Sequence, residues 1–188
     1  FDSPQRVAYQ EKCAGILVRA KYRIRTYAET PDVRFAEIKR RLNNRILKHR
    51  AVIGEDEYRS LLEGRAAAGA YPSLTEGHLG SGAHAPIAEG HHTAGGPLAL
   101  YRFRQGMLSL HLRPLVCIEY RRQPFVHPAY PRLRVTFDTR ITARPARSLE
   151  DRRPTCAVLP TGAAVLEIKF NGTMPHWVHM LVRKYSLA

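Results

Sequence analysis

The chain has 188 residues, 44% of them hydrophobic and 24% charged, the composition of an ordinary soluble globular protein, with one domain as the default and enough chain to bury a sizeable core. No apolar run is long enough to span a bilayer and no signal peptide is visible. Lys and Arg number 30 against 16 Asp and Glu, and the formal charge of +14 draws nucleic acid, anionic lipid or polyphosphate without choosing among them. Cys13, Cys117 and Cys156 are scattered with no CxxC pair, so neither a zinc site nor a disulfide framework is implied, and the expected setting is reduced and cytoplasmic.

In chain order, Phe1-Asp2-Ser3-Pro4 opens without Met and reads as the middle of a longer protein. Phe1 to Gln10 reads as a strand end and turn, and Cys13 to Gly15 as a hairpin-like turn. Ile16 to Tyr27 is the first long strand, Glu29 to Asp32 a turn around Pro31, and Val33 to Leu42 the second strand. Leu42-Asn43-Asn44-Arg45 suits a tight hairpin because Asn tolerates positive φ. Ile46 to Ile53 returns as the third strand. Glu55 to Glu63 has the acidic first turn of a helix, with Tyr58, Leu61 and Leu62 on one face and Gly64 as its stop.

Arg65 to Gly96, rich in Gly, Ala, His and Pro, has no periodicity and reads as a long flexible insertion. His78, His84, His91 and His92 lie in it at spacings that fit no metal template. Pro97 to Leu108 is helical, with Leu98, Tyr101 and Leu108 as core contacts. Leu115 to Arg122 is a strand with Ile118, Tyr120 and Arg122 on one face, and Gln123 to Pro131 is a proline-rich loop. Leu133 to Ile141 is a strand that sets Arg134, Thr136 and Asp138 against Leu133, Val135 and Phe137. Arg144 to Pro154 is a basic connector. Ala164 to Phe170 sets Glu167 and Lys169 against Leu166, Ile168 and Phe170. Pro175 starts a final helix whose Trp177, Met180, Leu181 and Lys184 share a side, with core packing the expected role of Trp177.

One pattern recurs along these strands. Lys21, Arg23 and Arg25 alternate with Tyr22, Ile24 and Thr26; Glu37 and Lys39 with Ala36 and Ile38; Lys48 and Arg50 with Leu47, His49 and Ala51. Side chains two apart on a strand share a face, so each strand presents cations, with isolated carboxylates, on one side. Such a face cannot be buried against a dry core. Most strands are joined by hairpins or a single helix, without βαβ rhythm, so the expected class is α+β with an antiparallel β-barrel. The cationic face lines a wet lumen, and helices pack outside. A solvated basic sheet face is the bland alternative for any single strand. Repetition over several strands favours the tunnel.

Arg23-Ile24-Arg25-Thr26-Tyr27, Glu37-Ile38-Lys39-Arg40 and Lys48-His49-Arg50 resemble the VTC domain, the polyphosphate polymerase domain of the triphosphate tunnel (CYTH-like) superfamily. Tyr120-Arg121-Arg122, Arg134-Val135-Thr136-Phe137-Asp138, Leu166-Glu167-Ile168-Lys169-Phe170 and the closing Pro175-His176-Trp177 carry the same resemblance. It implies a triphosphate tunnel fold binding ATP and polyphosphate with Mn²⁺ or Mg²⁺, and no specific nucleic acid. Lys21, Arg23, Arg25, Lys39, Lys48, Arg50, Arg122, Arg134 and Lys169 would hold phosphates. Glu167 would lead the metal ligands, followed by Glu37 and Asp138, and Arg23, Arg25, Lys39, Arg122, Arg134 and Glu167 form the implied catalytic set. Glu119 has the wrong strand parity if Arg122 faces inward. Family members begin with a strand carrying an E-x-K-type motif and continue past the final helix to a Ser-Lys-Tyr-like segment. On that comparison residues 1–188 are a single tunnel domain incomplete at both ends, with 65–96 inserted in it.

The chemistry agrees with such a lining. Phosphoryl transfer asks the protein mainly for positioning and charge neutralisation. Arg supplies a bidentate fork, Lys a point charge, and one or two carboxylates suffice for Mg²⁺. No Ser-His-Asp or Cys-His arrangement suggests a covalent intermediate. Three readings follow: a polyphosphate polymerase, a triphosphatase or tripolyphosphatase of the same fold, or a non-catalytic module binding polyphosphate or nucleic acid.

Overall fold

A computed structural model describes residues 1–65, 93–146, 148–151 and 153–187. They divide into two compact units, Phe1–Leu115 with Ala146–Ser148 and Val116–Pro145 with Leu149–Ala188. The histidines at 78, 84, 91 and 92 lie outside the described residues.

In the first unit, α1 (Val7–Cys13) precedes β1 (Val18–Tyr27), β2 (Thr30–Leu42) and β3 (Arg45–Ile53), then α2 (Glu55–Glu63), β4 (Thr93–Gly95) and α3 (Pro97–Ser109). The sheet order is β1-β2-β3-β4, antiparallel except for β4, which runs parallel to β3. The β2–β3 hairpin turns on Asn43 at φ 54°, a left-handed conformation that asparagine tolerates. Acidic Glu55, Asp56 and Glu57 occupy the first turn of α2. Gly64 ends the helix at φ 71°, and the Arg113 guanidinium lies against it where a Cβ would be.

The core of this unit lies between α3 and the sheet. Ala99, Phe103 and Met107 are buried on the helix, and Ile38, Ala36 and Ala51 on the strands facing it. The Phe103 ring stands edge-on to Phe1 at 5.6 Å and Tyr22 at 5.5 Å. Gly106 is required there, since a Cβ would run into the Tyr22 ring. The expected helix contacts Leu98, Tyr101 and Leu108 are therefore corrected: the first two are half-buried and Leu108 is exposed. The small residues Ala99 and Gly106 set how closely the helix approaches, so they, not the leucines, mark its inner face.

The N-terminus is also corrected, from strand end to helix. The Asp2 carboxylate accepts from the amides of Ala8 and Tyr9, and Ser3 Oγ from that of Val7, so buried side chains satisfy the first turn of α1. These residues lie four to seven positions before the amides they serve, beyond the spacing of an ordinary cap. Part of the expected loop is likewise ordered, because Thr93–Gly95 pairs with Lys48–Arg50.

The second unit holds β5 (Val116–His127), β6 (Tyr130–Pro145), β7 (Cys156–Ala157), β8 (Val165–Lys169) and α4 (His176–Lys184). β5 pairs with one edge of β6, and β7 and β8 pair antiparallel with successive stretches of its other edge. The proline-rich stretch is not a loop: Gln123 to His127 continues β5 and Pro124 lies in register with Thr136. Proline is admissible because β5 is the outer strand of this sheet. The basic connector begins later than expected. Arg144 ends β6, buried, with its guanidinium on Glu119 and the Leu149 carbonyl.

A β-bulge interrupts β6. Glu119 pairs with Thr142 but Arg121 with Thr139, and the extra residue is accommodated at Arg140, φ 51°. On α4, Val178 is the buried residue, whereas Trp177, Met180 and Leu181 are exposed, which overturns the core role expected of Trp177. Its ring instead lies among exposed aromatics, 5.7 Å from His127 and 6.1 Å from Tyr130.

The class is thus α+β with largely antiparallel sheets and α1 to α4 among the described residues. The expected barrel is a different matter. The ladders form two separate four-stranded sheets, with no closed barrel among the described residues. No helix among them is long and apolar enough to cross a membrane.

Candidate phosphate-binding site

The register turns the alternating pattern into geometry. Residues paired across a ladder share a face, so Lys21, Lys39 and Lys48 form one row across β1, β2 and β3. Arg23, Glu37 and Arg50 form the next, and Arg25, Phe35 and Val52 the one after. The opposite face carries Tyr22, Ile38 and His49, then Ile24, Ala36 and Ala51, the residues turned toward α3. Every expected phosphate-binding cation of the first unit therefore lies on one face. α3 packs on β2 and β3 and its buried partners belong to the other.

Glu37 is held at the centre of this face. Arg23 Nε donates to it at 2.6 Å, and Arg50 Nε pairs with its other oxygen at 3.4 Å. The Arg50 guanidinium also lies 3.5 Å above the Phe35 ring centroid, a cation–π support. Phe35 is a positioning residue that sequence reasoning missed, though parity places it on the charged face. The lysine row contains no carboxylate among its three paired positions. Lys21 is held below the ordinary lysine value, first by burial and then by the charges of Lys12, Arg19, Lys39 and Arg23.

In the second unit the corresponding face runs over Arg122, Asp138 and Val165, then Pro124, Thr136 and Glu167, then Val126, Arg134 and Lys169. Arg122 is gripped by Asp138 through two parallel hydrogen bonds of 2.6 Å, the fork geometry of a guanidinium on a carboxylate. That bond raises Arg122 further above the ordinary arginine value, against the opposing effect of burial, so it is charged at any accessible pH. Glu167 lies 3.5 Å from Arg122 and 3.3 Å from Lys169. Glu119 falls on the opposite face with Cys117 and Arg121, as its parity required, and is bound to Arg144.

Thr136 was named for its face but not for a role. It is 1% exposed, and its Oγ1 has no hydrogen-bond partner among the described residues. A buried hydroxyl left so costs about 1–3 kcal/mol. Its position between Arg134 and Asp138 on the strand, and opposite Glu167 across the ladder, puts that unused group on the cationic face. No sequence signal announces it, because Thr is common on strands.

The three carboxylates differ in availability to a cation. The Glu37 and Asp138 side chains are 14% and 13% exposed and tied at 2.6 Å. Glu167 is 40% exposed and its contacts are longer. Hard oxygen ligands in ones or twos, completed by water and phosphate oxygens, are what Mg²⁺ and Mn²⁺ accept, so Glu167, with Asp138 beside the same arginine, fits such an ion. No group of three or more His, Cys, Asp or Glu gathers among the described residues. The profile of the VTC domain matches residues 1–187. No curated protein matches the chain.

Proposed function

The chain belongs to the VTC domain family, and from that premise we propose that it is a metal-dependent polyphosphate polymerase. In this reading it transfers the terminal phosphate of a nucleoside triphosphate to a polyphosphate chain. The observation that carries the reading is the same-face register: Lys21, Lys39, Lys48, Arg23 and Arg50 on one sheet, and Arg122, Arg134 and Lys169 on the other, each set enclosing carboxylates. In this reading each cationic face would line a phosphate-binding tunnel.

Arg23, Arg25, Lys39, Arg122 and Arg134 orient the phosphates and spread the charge that develops on the transferring group. Asp138 keeps the Arg122 fork aimed, and Arg50 rests on Phe35. Glu167, with Asp138 beside the same arginine, would hold the Mn²⁺ or Mg²⁺, and Glu37 is the weaker candidate on the other sheet. When bound, that ion supplies neutralisation of phosphoryl oxygens. ATP and polyphosphate are the substrates.

The test is an incubation of the protein with ATP and Mn²⁺, products being run on a gel stained for polyphosphate while free phosphate is assayed in parallel. Long chains without matching phosphate release are expected. Free phosphate without chains would make it a triphosphatase, and neither product, with tight polyphosphate binding, a binding module.

A further inference from the structure

The cationic face of the first unit does not end at the lysine row. Arg19 on β1 pairs with Arg41 on β2, and Arg41 with Ile46 on β3, which is the next row on the same face. Two consecutive rows, Lys21–Lys39–Lys48 and Arg19–Arg41–Ile46, therefore contain cations and no carboxylate, whereas the row before them carries Glu37 between Arg23 and Arg50. The face is graded, from a carboxylate-bearing end to an all-cationic end at the Asn43 turn.

Both outer arginines are anchored by the backbone. Arg19 donates to the Ile16 carbonyl and Arg41 Nε to that of Asn43 at 2.8 Å, which fixes each guanidinium while leaving donors over. The Lys21 ammonium beside them is held below the ordinary lysine value by burial first and then by neighbouring cations, Arg19 among them.

Resting on the tunnel reading above, we propose that Arg19 and Arg41 form an outer subsite for the linear phosphate chain. It engages phosphates beyond the first few, along a track from the Glu37 row over the lysine row to the β2–β3 turn. An unbranched polyanion whose charge repeats at every phosphate matches successive cation rows. These two rows carry no ring on which a nucleobase could stack, which argues against single-stranded nucleic acid.

The experiment measures affinity by calorimetry for tripolyphosphate, for polyphosphate of several tens of phosphates and for single-stranded DNA of matching charge. It uses the natural protein, R19Q/R41Q, R19K/R41K and R122A, with circular dichroism to check folding. For R19Q/R41Q we expect tripolyphosphate affinity within twofold of the natural protein. Its affinity for the long chain should fall about tenfold, the size of one or two lost charge-assisted contacts. R19K/R41K should recover most of that loss. Equal losses for short and long chains, no loss for either, or a loss as large for DNA as for polyphosphate would each overturn the subsite. Failure of the tunnel reading is distinct: the natural protein would then bind tripolyphosphate without any dependence on Arg122.

Discussion

At the scale of single residues, the most constrained group of the candidate site is Arg122. Its fork is locked by Asp138, so Asp138 acts through Arg122 whether or not it also touches metal. Asp138→Asn removes charge from the grip while keeping its shape. It is expected to lower kcat/KM for the nucleotide about tenfold or more, the scale of one charge-assisted hydrogen bond. Arg122→Lys should not rescue it, because an ammonium has no fork. Thr136→Val removes a buried hydroxyl that has no partner. Urea melts should show stability unchanged or raised by up to about 1 kcal/mol, and phosphate affinity should fall.

His49 is a third residue with a definite consequence. It is buried behind the cationic face with Arg102 Nη1 3.3 Å from its ring, and burial, then Arg102 and Arg40, hold its pKa below the ordinary histidine value. The folded protein thus takes up this proton less readily than the unfolded chain. The neutral ring's contribution is complete above the unfolded value, about 6.5. It is lost as pH falls from there toward the depressed folded value. Melts between pH 7.5 and 5.5 should show a steeper loss of stability for the natural protein than for His49→Gln.

At the scale of elements, the close approach of α3 to the sheet decides the first unit. Gly106 meets the Tyr22 ring, which is itself packed on Phe103, so the ring cannot retreat without opening that cluster. Gly106→Ala would ordinarily stabilise a helix by about 1 kcal/mol. Here overpacking should reverse the sign and cost about 1–3 kcal/mol in denaturant melts. Phosphate affinity should fall less, since Tyr22 lies on the face opposite Lys21 and Arg23. In the second unit the bulge at Arg140 shifts the parity of β6, so that Arg144 faces with Glu119 while Asp138 faces with Arg122. It separates the arginine that holds the Leu149 carbonyl from the carboxylate of the site.

At the scale of the whole molecule, the proposed polymerase activity predicts dependence on a divalent ion and on Glu167. Chelation with EDTA should abolish turnover and added Mn²⁺ restore it. Glu167→Gln should remove turnover while sparing or tightening polyphosphate binding, because a negative charge leaves a positive face. Turnover that survives the substitution would remove Glu167 from the metal's ligands.

What the amino-acid order determined by itself was strand parity. A period of two puts Lys21, Arg23 and Arg25 on one side of their strand, Glu37 with Lys39 and Lys48 with Arg50 on one side of theirs, and likewise Arg134 with Asp138 and Glu167 with Lys169. The Asn43 hairpin and the Glu55–Glu63 helix were also legible, because turn and cap preferences act over a few residues. Contacts between distant residues were decided only by the tertiary structure. Asp2 satisfying α1, the inner face of α3 chosen by small residues, Pro124 within an outer strand, and the exposed Trp177 all depend on what each element packs against. The same is true of Arg122 choosing Asp138 and of the hydroxyl left over at Thr136. Local chemistry sets which side of a strand is charged. Which charge meets which depends on register, and register is a property of the assembled sheet.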